Sequence, residues 1–184
     1  MIGIISRLTV QKGFDLVEAL MKDLMKENIQ LVVLGTGDKS SQKMFDGFKK
    51  KFPKKIGLHL GFSEELAHLI EAGSDIFLMP SKYEPCGLNQ MYSLRYGTIP
   101  VVRATGGLAD TIKEYKNGNG NGFLFDKYDS GALMTAIKRA LRLYKNREEW
   151  IKLVRQAMSY DFSWEVSAKK YIDLYKSLIK KERA

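Results

Sequence analysis

Apolar residues recur along the chain in two alternating rhythms, and that alternation predicts the architecture. Short runs at Ile2–Ser6, Gln30–Gly35, Ile56–Leu60, Asp75–Met79 and Ile99–Val102 have the length and aliphatic content of buried strands. Between them the spacing lengthens to the helical period, with Leu16, Val17, Leu20 and Leu24 in Phe14–Lys26, and Met44, Phe45 and Phe48 in Ser41–Lys51. Ser63 ahead of Glu64 and Glu65 reads as a capped helix start with acids facing the positive end of the dipole. A further helix begins near Gly87, after Pro80 has ended the fourth strand. Strands and helices in this regular order predict an α/β fold, a parallel sheet covered by helices on both faces.

Past the fifth strand, Thr105-Gly106-Gly107 leads into a short helix around Leu108–Glu114, and Lys116–Gly122, rich in glycine and asparagine, reads as an unstructured hairpin-like turn or a mobile surface loop. Gly122–Phe125 is a short sixth strand. Leu133, Ala136, Ile137, Ala140, Leu141 and Tyr144 form one apolar helical stripe, and Trp150, Leu153, Val154 and Ala157 form another. The last helix, Trp164–Lys181 with Ser163 as its cap, carries Trp164, Ala168, Tyr171, Tyr175 and Leu178 on one face, broadened by Ile172, Leu174 and Ile179. So wide an apolar surface calls either for the core of this domain or for a surface outside this sequence.

No repeat or flexible linker divides the chain, so residues 1–184 are read as one domain. No apolar run approaches the roughly 20 residues of a membrane span, and the amino terminus lacks the features of a secretory signal. Cys86 stands alone, which excludes an internal disulfide framework, and two histidines argue against a multi-histidine metal cluster. The cytosol is the expected compartment. The net charge of +9 suits an anionic ligand or simply a soluble surface, because many lysines fall on the wet faces of the helices. No zinc-finger spacing, RNA-binding aromatic signature or dense basic tail points to nucleic acid.

Candidate chemistry gathers on the connections that follow strands, the edge where open α/β sheets bind ligands. Arg7 and Lys12, with Gly13 before the first helix, can reach a diphosphate together, the guanidinium forking onto oxygens and the ammonium acting as a point charge. Gly35-Thr36-Gly37-Asp38 is a tight turn that fails the dinucleotide fingerprint, since the third glycine would fall at Ser40. Gly61-Phe62 offers a ring on which a base could stack, or a core residue. Glu84 lies between the fourth strand and a helix start whose amides suit anions or hydroxyls, although a glutamate before a proline also serves as a solvated turn acid. Thr105-Gly106-Gly107 can turn amides and a hydroxyl toward phosphate. Cys86 has no base assigned to it by spacing and is read as a packed thiol or an ordering contact.

These motifs taken jointly resemble bacterial glycogen synthases and plant starch synthases. The stretch Ser81–Gly97 with Glu84-Pro85-Cys86-Gly87-Leu88, the spacing of Arg7 with Lys12-Gly13, and Asp161-Phe162-Ser163-Trp164 carry the resemblance, which runs from Ile2 to about Leu178. Tyr92 stands eight positions after Glu84, where many related transferases have a second glutamate, and glycogen and starch synthases share that replacement. The resemblance implies a Rossmann-like fold, the carboxyl-terminal half of a two-domain GT-B glycosyltransferase. It implies a retaining transfer of glucose from ADP-glucose to the non-reducing end of an α-1,4-glucan, releasing ADP, with no cofactor and no metal. By the same resemblance Arg7 and Lys12 meet the diphosphate and stabilise it as it leaves, and Glu84 approaches the glucosyl group. Gly35, Thr36, Gly61, Phe62, Cys86, Gly87, Leu88, Thr105 and Gly106 line the donor. Phe62 keeps the face of a tyrosine usual in the family and loses its hydroxyl. An amino-terminal domain would supply the acceptor site, the last helix would cross to it, and this chain alone would catalyse little. In a plant-type starch synthase the compartment would be the plastid. The alternative is a stand-alone, non-catalytic module for nucleotides or anions.

Overall fold

The computed structural model describes residues 1–182, with side chains to residue 179. Six strands, β1 (Ile2–Ile5), β2 (Leu31–Gly35), β3 (Ile56–Leu60), β4 (Ile76–Met79), β5 (Ile99–Arg103) and β6 (Phe123–Phe125), form one sheet in the order β3-β2-β1-β4-β5-β6. Every pairing is parallel; Ile2 sits opposite Leu31 on one side and Ile76 on the other. The chain winds outward from β1 through β2 to β3, then crosses back and winds the other way from β4. Loops leaving β1 and β4 therefore diverge, and a crevice opens between them at the carboxyl edge. The expected Rossmann-like parallel sheet is present.

The central strands are buried throughout, as in β4, where Ile76, Phe77, Leu78 and Met79 are all enclosed. That is why they read as continuous apolar runs rather than alternating ones. At the edge, β3 exposes Gly57, His59 and Leu60. The helices are α1 (Phe14–Leu24), α2 (Lys39–Lys51), α3 (Glu64–Gly73), α4 (Asn89–Tyr96), α5 (Gly106–Thr111), α6 (Ser130–Tyr144), α7 (Arg147–Met158) and α8 (Trp164–Glu182). One layer joins α1 to α6 and, through the edge-on rings of Phe14 and Phe45, to α2; the other joins α3, α4, α5 and α7. Ser63 caps α3 by accepting from the Leu66 amide, and Asp129 and Asn146 cap α6 and α7 in the same manner.

Three readings are corrected or decided. The helix expected over Leu108–Glu114 begins at Gly106 and ends at Thr111, because Thr105 is its first flanking residue and Ile112 turns extended. Lys116–Gly122 is the hairpin-like turn of the two alternatives, and it is ordered rather than unstructured. Asn121, fully buried, accepts from the Lys113 amide at 2.7 Å and donates to the Thr111 carbonyl at 3.0 Å, and Lys116 pairs with Asn119. The last helix does not pack into this core: Trp164 is 84% exposed, and Tyr171, Leu174, Tyr175 and Leu178 are exposed along it. Among the described residues, no helix is long and apolar enough to cross a membrane.

Candidate functional site

The crevice at the strand-order reversal holds two connected clefts. The first, of about 160 Å³, is lined by Ser6, Arg7, Lys12, Ser81, Glu84 and the Gly87–Asn89 start of α4. The second, of about 420 Å³, runs along the ends of β2 and β3, between Gly35, Thr36, Gly61 and Phe62 on one side and Glu71, Asn89 and Tyr92 on the other. Ile5, Ser6, Arg7 and Asn89 are common to both.

The loop after β1 closes in a single 3-10 turn, Val10–Lys12, and Gly13 follows with φ of 73°. A Cβ at Gly13 would lie 2.0 Å from the Pro80 carbonyl oxygen, so only glycine lets this loop press against the one after β4. The two loops are then joined along their backbones, the Lys82 amide donating to the Gln11 carbonyl at 2.8 Å and the Gln11 amide side chain to the Tyr83 carbonyl at 2.9 Å. This brings Lys12 Nζ to 2.6 Å from Glu84 Oε2, although the residues are 72 apart in the chain. Ser81 Oγ donates to the same oxygen at 3.0 Å. Glu84 is 7% exposed, which excludes the solvated turn acid. Arg7 is exposed at the junction of the clefts and makes no ion pair among the described residues.

Gly106 and Gly107 make room for the loop that carries Glu84. A Cβ on Gly107 would sit 2.0 Å from the Cys86 carbonyl oxygen, and one on Gly106, whose φ is 46°, would sit 2.1 Å from that of Glu84. The Gly107 amide donates to the Glu84 carbonyl at 3.0 Å and the Thr105 amide to that of Arg103 at 2.9 Å. The Gly107 amide thus fastens the Glu84 loop, while Gly106 is exposed. Thr105, Gly106 and Cys86 line neither cleft, and the Cys86 thiol is exposed rather than packed, its one hydrogen bond among the described residues going to the Gly87 carbonyl at 3.5 Å. Phe62, 88% exposed at the second cleft, is not a core residue.

Asn89 and Glu71, on the walls of the clefts, were not singled out in the sequence. Asn89 reaches from α4 to the Ile5 carbonyl at 3.0 Å and ties the two sides of the crevice together. Arg103 donates from Nε to the Ser81 carbonyl at 2.9 Å and from its terminal nitrogen to the Lys82 carbonyl. Its guanidinium lies over the Tyr128 ring, 5.6 Å from the centroid. Burial, then the hydrogen bond to Asp15, pushes the Tyr128 phenol up to about 12. Glu71 is 3% exposed, and burial raises its carboxyl to about 7. An acid one position after Ile70, on the inward face of α3, was a signal open to sequence reasoning.

The family model described as Glycosyl transferases group 1 matches residues 1–157. A glycogen synthase from Desulforudis audaxviator (strain MP104C) is 54% identical over 98% of this chain, and one from Kosmotoga olearia (strain ATCC BAA-1733 / DSM 21960 / TBF 19.5.1) is 48% identical over 99% of it. The chain spans 37% and 39% of those two relatives' lengths. Among solved structures, the catalytic domain of starch synthase IV from Arabidopsis thaliana, bound to ADP and acarbose, superposes with a TM-score of 0.87 at 38% identity. That match covers 96% of this chain and 38% of the other, and it bears out the expected glycosyltransferase fold. With its matched segment holding the whole sheet and both clefts, this chain belongs to the group 1 glycosyl transferases.

Proposed function

We propose that this chain is the donor-binding, carboxyl-terminal part of a glycogen or starch synthase, which transfers glucose from ADP-glucose to the non-reducing end of an α-1,4-glucan with retention. The observation that carries this reading is the meeting of Arg7, Lys12 and Glu84 in one cleft that opens into a second, mainly apolar one. The second cleft suits a nucleoside, with the open face of Phe62 available for stacking and Gly35, Thr36 and Gly61 along its wall. The diphosphate then falls at the junction, where Arg7 has no counter-ion among the described residues. Lys12 holds Glu84 and shares its charge with the phosphates, so that negative charge developing on the leaving ADP meets two cations. Glu84 faces the glucosyl group. The ADP in the related starch synthase structure supports the choice of nucleotide.

Acceptor binding and closure over the sugar belong to a second domain, so the isolated chain binds nucleotide and turns over little. The cytosol is the proposed compartment. Calorimetric titration with ADP and UDP tests the reading. Saturable ADP binding, weakened about tenfold or more by Arg7→Ala through loss of a charge-assisted contact, is the expected result. An Arg7→Ala variant with unchanged affinity overturns it. ADP binding without transfer by any longer chain containing this one would favour the non-catalytic module.

A further inference from the structure

We propose that Ser81 is a positioning residue for Glu84, whose Oε2 it fixes together with Lys12 so that Oε1 is the oxygen presented to the sugar. The inference rests on the donor-site reading above. Ser81 is 1% exposed and Glu84 is 7% exposed, so neither side chain has free water as an alternative partner. Oε2 receives Ser81 Oγ at 3.0 Å and Lys12 Nζ at 2.6 Å, while no bond to Oε1 is present among the described residues. The two donors differ in permanence. Lys12 is a flexible cation that a diphosphate competes for, and each phosphate oxygen it turns toward loosens its hold on Glu84. Ser81 has a one-atom reach and an anchored backbone: its carbonyl accepts from Arg103 Nε at 2.9 Å, and Arg103 is held in turn over Tyr128. When donor occupies the site, Ser81 is the donor that stays on Glu84. A hydroxyl on a carboxylate is a charge-assisted bond with a defined direction, which sets the plane of the carboxyl group.

The test uses the full chain and reads the affinity for ADP-glucose relative to ADP. Ser81→Ala, and the nearly isosteric Ser81→Cys with its weak donor, are expected to weaken ADP-glucose about tenfold while leaving ADP within about twofold. In a Glu84→Ala background the same change at Ser81 is expected to have no further effect on that ratio, the coupling that contact through Glu84 requires. A merely structural role would lower the affinity for both ligands alike. Equal weakening of both ligands, or a shift in the ratio that persists undiminished without Glu84, overturns the proposal. If wild type binds ADP, Arg7→Ala weakens it and Ser81→Ala leaves the ratio unchanged, the positioning role fails and the donor site stands. If wild type binds neither ligand, both fall.

Discussion

Glu71→Gln isolates a buried carboxyl on the wall of the second cleft. The side chain is 3% exposed and has no hydrogen bond among the described residues; the nearest cationic partner is His68, whose Nδ1 lies 4.0 Å away and is also in contact with the Tyr96 hydroxyl. Burial therefore dominates and raises the group to about 7. In the unfolded chain it ionises in the ordinary glutamate range. Below that range both states hold the proton and the fold bears no penalty. As pH rises, the unfolded chain loses its proton first and stability falls, until the folded group also ionises near 7 and the loss levels off. At about 1.4 kcal/mol per tenfold difference in proton affinity, the full loss is about 3 kcal/mol. Glutamine keeps the shape and cannot ionise. Urea unfolding of wild type and variant at about pH 5 and about pH 8.5 should show the variant gaining roughly 2 kcal/mol on wild type between the two conditions. Repeating the pair in a His68→Gln background tests whether the contact at 4.0 Å contributes to the difference. A difference between wild type and variant that is the same at both pH values would refute the reasoning.

Two further outcomes follow from the geometry. Phe62→Ala should leave thermal stability within about 0.5 kcal/mol of wild type, because the ring is mostly in water, yet weaken ADP binding through loss of a stacking surface; unchanged affinity in calorimetry would remove Phe62 from the site. Gly107→Ala should destabilise by about 1–3 kcal/mol, since its methyl carbon meets the Cys86 carbonyl at 2.0 Å, whereas Gly47→Ala in α2, with nothing within 4 Å, should stabilise by about 0.5–1 kcal/mol; equal melting temperatures for the two variants would contradict the packing described.

Much of this protein was determined by local sequence. The apolar runs of β1 to β5 and the helical stripes of α1, α6 and α7 fall where periodicity puts them, because burial on one or both faces dictates the spacing of apolar side chains along a strand or helix. The short motifs likewise marked Arg7, Lys12 and Glu84, since each lies on a connection after a strand and the reversal of strand order brings those connections together. Only the tertiary structure decided what these residues do to one another. Lys12 meets Glu84 across 72 positions because Gly13 lets two loops touch, and no local pattern records that approach. The glycines at 106 and 107 make room for the Glu84 loop, which no local pattern records, since a missing side chain reads alike whether a ligand or a neighbouring backbone fills the space. Cys86 and Phe62 were ambiguous for a related reason: residue type sets a preference for burial, while the surface each receives depends on elements far along the chain. The exposed face of α8 extends the same point, its apolar width written in the sequence and its lack of cover in this domain visible only once the other helices are in place.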